Sequence, residues 1–340
     1  MISKEGKPSM ANGTNGVNGS ARQSQPNIYP PGIHVPSLTF FGDDERQEID
    51  WAVQEEHLKF LISSGLHGVV IAGTNGEAAT LTAEEKARLV TTTRRIAIEQ
   101  GRADLPITLG CSAGCTRDVV DQAIAASEAG ADFALVLVPS YFHFAMDQAA
   151  IVAFFQEVAD KSPVGIVIYN FPGVVSGLDV NSEMLDVLGS HRNIVGVKLT
   201  CGGIAKVTRA ATTFTQDQFA VLAGQSDWLV PALSVGATGC ITGCANLFPK
   251  TCIEIYNLYT HGRVEEATAL QKELGIMEWA FAKGGINGTK WIVAKLRGYR
   301  DSSCNCRRPY PKFSSEEKRD WITKQVANLI PIEKRLNLKS

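Results

Sequence analysis

Lys198 stands inside the run Ile194-Val195-Gly196-Val197-Lys198-Leu199, which otherwise reads as a strand buried on both faces of a parallel sheet. An ammonium has no lone pair with which to attack a carbonyl, and desolvation favours the neutral amine. A lysine in such a run is therefore a candidate Schiff-base former. A strand-end lysine can also lay its stem along apolar surface and keep its charge in water, so the neighbours decide. Upstream, Gly165-Ile166-Val167-Ile168-Tyr169-Asn170-Phe171-Pro172 is a second apolar strand, stopped by a proline. Tyr169 precedes Lys198 by 29 positions, about the length of one βαβ unit. The two side chains are expected at the same end of adjacent parallel strands.

Three more segments place polar or small residues just past apolar runs. Gly73-Thr74-Asn75-Gly76-Glu77 brackets a hydroxyl and an amide with glycines, a turn that can present N–H groups to a carboxylate or serve only as a turn. Val138-Pro139-Ser140-Tyr141-Phe142 carries a tyrosine that is equally consistent with loop packing. Gly236-Ala237-Thr238-Gly239-Cys240-Ile241-Thr242-Gly243 is rich in small residues, which indicates close backbone approach to a ligand or to a helix.

These segments need elements to position them. Strand-like runs fall at about 33–40, 68–73, 106–110, 133–139, 164–169, 194–199, 219–223 and 239–243, with helical patterns between them such as Ala83–Glu99, Asp118–Ala129, Gln148–Ala159 and Ser182–Leu188. Thr82 and Glu85 form a capping box. Eight alternating units predict an α/β fold, a (β/α)8 TIM barrel with a C-terminal helical extension. No G-x-G-x-x-G follows the first strand, which weighs against dinucleotide binding. After Gly262 the pattern is helical throughout: Val264–Lys283, a break at Gly284-Gly285, Asn287–Leu296, and a helix opened by Ser314-x-x-Glu317 and running to Leu329. The expected organisation is a disordered leader over 1–26, a catalytic barrel over 27–262 and the helical extension over 263–340.

Composition narrows the partners. With 33 basic and 35 acidic residues, and a net charge of −2, the chain has no basic block for nucleic acid or an anionic membrane. No apolar stretch is long enough to span a bilayer, and the N-terminus lacks a secretory apolar core. A cytoplasmic protein is expected, with mitochondrial import the lesser alternative. Eight cysteines without a secretory signal read as reduced thiols. Their spacings, and those of the six histidines, match no zinc motif, so no metal is expected.

The order Gly-Thr-Asn-Gly-Glu, Pro-Ser-Tyr, Tyr-Asn-x-Pro, Gly-Val-Lys, Gly-Ala-x-Gly-x-Ile, from about Gly32 into the helical tail, resembles the dihydrodipicolinate synthase and N-acetylneuraminate lyase family of class I pyruvate aldolases. That resemblance implies a covalent imine between Lys198 and a 2-oxo acid, with no cofactor and no metal. It makes Tyr169 the general acid and base, puts Thr74 and Asn75 in the carboxylate-binding turn, and lets Tyr141 reach across a dimer to complete a proton relay with Thr74. Gly224, in the Gly224-Gln225-Ser226-Asp227-Trp228 turn, is implied on the substrate side, and Ile241 at the strand-eight position whose backbone faces the active site. A homodimer or homotetramer is implied as well.

Two departures bear on the substrate. The segment Gly173-Val174-Val175-Ser176-Gly177 lacks the arginine that binds the aldehyde substrate's carboxylate in the lysine-biosynthetic synthase. Asn75 stands where the second threonine is usual, as in 4-hydroxy-2-oxoglutarate aldolases and fungal 2-keto-3-deoxy-L-galactonate aldolases. The expected activity is cleavage or formation of a 2-keto-3-deoxy sugar acid, giving pyruvate and a short aldehyde such as L-glyceraldehyde. The alternatives are a 4-hydroxy-2-oxoglutarate aldolase, a biosynthetic aldolase joining pyruvate to a second 2-oxo acid, including pyruvate itself, or, from another class, a noncatalytic barrel serving as a binding or assembly module.

Overall fold

A computed structural model describes residues 28–336; the expected leader over 1–26 lies outside the described residues. Eight parallel strands close a barrel in sequence order: β1 (Gly32–Pro36), β2 (Gly68–Ile71), β3 (Ile107–Cys111), β4 (Phe133–Leu137), β5 (Gly165–Asn170), β6 (Ile194–Leu199), β7 (Ala220–Ala223) and β8 (Gly239–Ile241). Helices α1 (Trp51–Ser63), α2 (Ala83–Glu99), α3 (Thr116–Ala129), α4 (Gln148–Lys161), α5 (Ser182–Leu188), α6 (Ile204–Thr213), α7 (Leu229–Ser234) and α8 (Pro249–Thr260) follow the strands. The expected α/β barrel is the observed one. Strand β1 stops at Pro36, short of the predicted 40, because the chain turns away to pair Phe41 with Ile49 in an antiparallel bridge.

Two apolar layers hold the barrel. The larger lies between strands and helices; the smaller fills the interior with Val70, Leu135, Val167, Tyr169, Leu222 and Ile241, as expected of strands whose alternate side chains point inward. Tyr29 plugs the end remote from Lys198, 4.8 Å centroid to centroid from Phe133 at the start of β4 and 3.2 Å from the Thr108 hydroxyl. The capping box at Thr82 and Glu85 forms at α2 as read from the sequence.

The extension comprises α9 (Val264–Arg297), α10 (Glu316–Val326) and α11 (Leu329–Arg335). Helix α9 is kinked at Gly285, where φ 62° and ψ −168° is a conformation open essentially to glycine alone. The last predicted helix needs correcting twice. Its N-cap is Ser315, whose hydroxyl accepts from the Lys318 N–H, and Glu316 and Glu317 both occupy the first turn. It ends at Val326, and α11 is a separate helix.

Candidate active site

Strands β5 and β6 pair in a register that sets Tyr169 directly beside Lys198, the arrangement expected from their spacing. Each is the last residue but one of its strand, and they are 4% and 3% exposed. The Lys198 Nζ stands 4.3 Å from the centroid of the Tyr169 ring. The Tyr169 hydroxyl is 3.2 Å from Thr74 Oγ1, in the turn after β2. That turn is closed by the N–H groups of Glu77 and Ala78, which donate to the carbonyls of Thr74 and Gly73 at 3.0 and 3.2 Å. In the Tyr-Asn-x-Pro motif, Asn170 donates to Asp179 at 2.7 Å and accepts from the Val180 N–H at 3.0 Å. It pins the loop beyond β5 and leaves Tyr169 free to face the barrel mouth.

Lys198, Tyr169, Thr74, Asn75 and Gly224 line one cavity of about 190 Å³, together with Thr200, Gln225, Gly243, Glu278 and Ile286. Gly224 is required by close approach: a Cβ there would lie 2.0 Å from Thr200 Oγ1. That hydroxyl oxygen is buried without a hydrogen-bond partner among the described residues. A second cavity of about 410 Å³ shares Thr74, Tyr169 and Ile286 with the first and extends past Val174, Lys86 and Tyr310. Lys86 is the cation of this outer chamber, 8% exposed, and burial lowers its pKa. One amine beside a phenol and a hydroxyl, in a cavity of this size, suffices for imine chemistry on a small oxo acid.

Two expected residues stand apart. The Ile241 side chain is fully buried in the barrel interior, because β8 directs that position inward, which leaves only its backbone to face the site, and Gly243 two residues on lines the cavity. Tyr141 is 82% exposed and rests edge-on against Phe142 at 4.9 Å, outside both cavities of the single chain.

Sequence reasoning missed Glu278, Thr200 and Ile286. The signal for Glu278 was present: Ala267, Gln271, Leu274, Glu278 and Phe281 recur at helical spacing and are all buried, so two polar residues occupy a core-facing stripe. Ile286 follows the Gly284-Gly285 break, and the kink is what turns it to the cavities.

The model of the dihydrodipicolinate synthetase family matches residues 30–328. The chain belongs to this family. Among family members, it is 41% identical over 319 residues to a Coccidioides immitis protein named for mitochondrial 4-hydroxy-2-oxoglutarate aldolase, covering 92% of this chain and 99% of the relative. It is 36% identical over 318 residues to the L-threo-3-deoxy-hexylosonate aldolase of Hypocrea jecorina, with the same coverage of 92% and 99%. A crystal structure of a dihydrodipicolinate synthase family protein from Coccidioides immitis superposes with a TM-score of 0.82 at 39% identity, covering 92% of this chain and 99% of that one.

Proposed function

We propose that the protein is a class I aldolase, a carbon–carbon lyase that makes or breaks a 2-keto-3-deoxy sugar acid through an imine on Lys198. The observation that carries this is the placement of Tyr169 beside Lys198 with its hydroxyl on Thr74. In cleavage, Lys198 adds to the C2 keto carbon of the sugar acid, water leaves, and the protonated imine takes up the electron pair of the C3–C4 bond as it breaks; the resulting enamine is protonated at C3 and hydrolysed to free pyruvate and Lys198. Tyr169 takes the proton from the C4 hydroxyl as the aldehyde departs, and Thr74 relays it. The substrate carboxylate sits at the Thr74-Asn75 turn. The reaction needs no metal or organic cofactor. A 36% identical relative named for a 3-deoxy-hexylosonate supports the sugar-acid substrate, as does a catalytic cavity in which Lys198 is the one cationic residue.

A second reading, 4-hydroxy-2-oxoglutarate cleavage to pyruvate and glyoxylate, is favoured by Lys86 in the outer chamber, a cation available to a second carboxylate, and by the relative of 41% identity. Borohydride reduction with pyruvate, followed by peptide mass spectrometry, tests the mechanism, and condensation with L-glyceraldehyde or glyoxylate separates the substrates. A reduced adduct on Lys198 and faster condensation with L-glyceraldehyde are expected; folded protein without that adduct overturns the reading and returns the noncatalytic barrel. Tyr141, Phe142 and Phe144, 82, 60 and 80% exposed, form an aromatic patch that suits burial in a dimer or tetramer, where Tyr141 would join Thr74; sedimentation of the same sample gives the assembly. Two relatives carry "mitochondrial" in their names, so imaging of the full-length tagged chain decides between that compartment and the cytoplasm.

A further inference from the structure

The catalytic cavity contains one carboxyl that the imine chemistry leaves unused. Glu278, on α9, is 5% exposed and lines the same cavity as Lys198. Its Oε2 accepts from the Ser226 N–H at 2.7 Å and from the Ser226 hydroxyl at 2.6 Å. Its Oε1 has the Thr242 hydroxyl at 3.5 Å, the outer limit of a hydrogen bond, and the Cys244 thiol adjoins the carboxyl. None of the ion pairs among the described residues includes Glu278. A buried carboxyl without a cation costs stability, and this one faces the space that the substrate's carbons must fill. Thr200, its hydroxyl oxygen without a partner, and Gln225 line that space too.

We propose that Glu278 determines specificity for the acceptor half of the substrate: Oε1 accepts hydrogen bonds from the hydroxyl groups of a hydroxylated aldehyde, and the carboxyl disfavours an acceptor that bears its own carboxylate. This rests on the Lys198 imine, which places the pyruvate carboxylate at the Thr74-Asn75 turn and leaves the Glu278 side of the cavity to the acceptor. The acid thus selects polyol chains by accepting from them and repels oxo acids by charge.

The test compares the wild type with Glu278→Gln, which keeps an amide oxygen for Ser226 but removes the charge and one acceptor. In condensation with pyruvate at about pH 8.5, where the buried Glu278 carboxyl is ionised, kcat/KM for L-glyceraldehyde is expected to fall roughly 10- to 100-fold, the worth of a hydrogen bond to a charged group, while kcat/KM for glyoxylate holds or rises. The wild type provides an arm that survives a misfolded variant. L-Lactaldehyde and propanal, which drop the two hydroxyls in turn, are expected to lose efficiency stepwise, and Glu278→Gln to compress those steps. Equal losses for both acceptors, or a wild type indifferent to the hydroxyls, overturn the proposal while the Lys198 adduct still forms. Absence of the adduct overturns the imine reading itself.

Discussion

At the scale of the residue, chemistry turns on a few ångströms between polar atoms carried by different strands. Among the described residues the Tyr169 hydroxyl has one hydrogen-bond partner, Thr74 Oγ1 at 3.2 Å, and a phenol serves as a proton carrier only when a second group delivers or removes the proton. Thr74→Val keeps the branched shape and removes the hydroxyl. Turnover is expected to fall by about 10²-fold, the usual worth of such a proton transfer, with pyruvate still reducible onto Lys198. Equal loss of adduct and turnover would make Thr74 a binding group and no relay. Lys198 and Tyr169 were legible in the sequence because a charge or a phenol stands out in an apolar run. Glu278 was harder to see, since a glutamate in a 34-residue helix is ordinary until the buried face is known.

At the scale of the element, the turn that carries Thr74 is held by the extension. Glu77 adopts φ 58° at the end of the Gly-Thr-Asn-Gly-Glu turn, a left-handed conformation that costs a side-chain-bearing residue about 1 kcal/mol or more. Its carboxylate explains why it is there. Lys290 of α9, fully buried, pairs with one oxygen, and the Arg307 N–H donates to the other at 2.9 Å. Arg307 also grips both oxygens of Glu85 at 2.6 and 2.8 Å. Thr74 is thereby fixed from two sides, by its own turn and by a helix more than two hundred residues away in sequence. Lys290→Met would strand the buried Glu77 charge and is expected to cost about 3–5 kcal/mol in urea unfolding. The double change with Glu77→Gln should recover most of that. If the double variant is no more stable than the single, the loss lies in packing of the lysine stem and the ion pair is not its cause.

At the scale of the whole molecule, burial makes stability depend on pH. His57 is fully buried, with the Asn246 side chain at 3.0 Å on one ring nitrogen and the Tyr299 hydroxyl at 3.1 Å on the other. It ties α1 to the end of the barrel and to the extension. Desolvation, the larger effect, lowers its pKa to about 4 against the hydrogen bond that the ring donates to Asn246 Oδ1. The unfolded chain binds this proton near pH 6.5 and the folded chain only near 4, so stability is lost as pH falls through that window, by on the order of 3 kcal/mol. His34, lowered by burial to about 3, acts in the same direction. Glu278 acts oppositely: burial raises its pKa to about 7, so the folded state holds a proton that the unfolded state has released, and stability falls as pH rises from about 4.5 to 7. Comparing wild type with His57→Gln in urea between pH 7 and 4.5 isolates the histidine. The wild type is expected to weaken more steeply on acidification; parallel curves would remove His57 from the account.

What the sequence determined by itself was periodic or chemically conspicuous. Eight apolar runs at βα spacing dictate a parallel α/β sheet because a parallel strand must bury both faces, their number pointed to its closure as a barrel, and a register set by the same spacing put Tyr169 beside Lys198. The capping box at Thr82 was equally local. The tertiary structure alone decided what depends on elements distant in the chain. It turned Ile241 inward and brought Gly243 to the site, kinked α9 at Gly285 to present Ile286, and set Glu278 in the cavity that Lys198 and Thr74 line. Each is a matter of which face of an element meets which neighbour, and the packing of helices on a closed sheet settles that where no local pattern can.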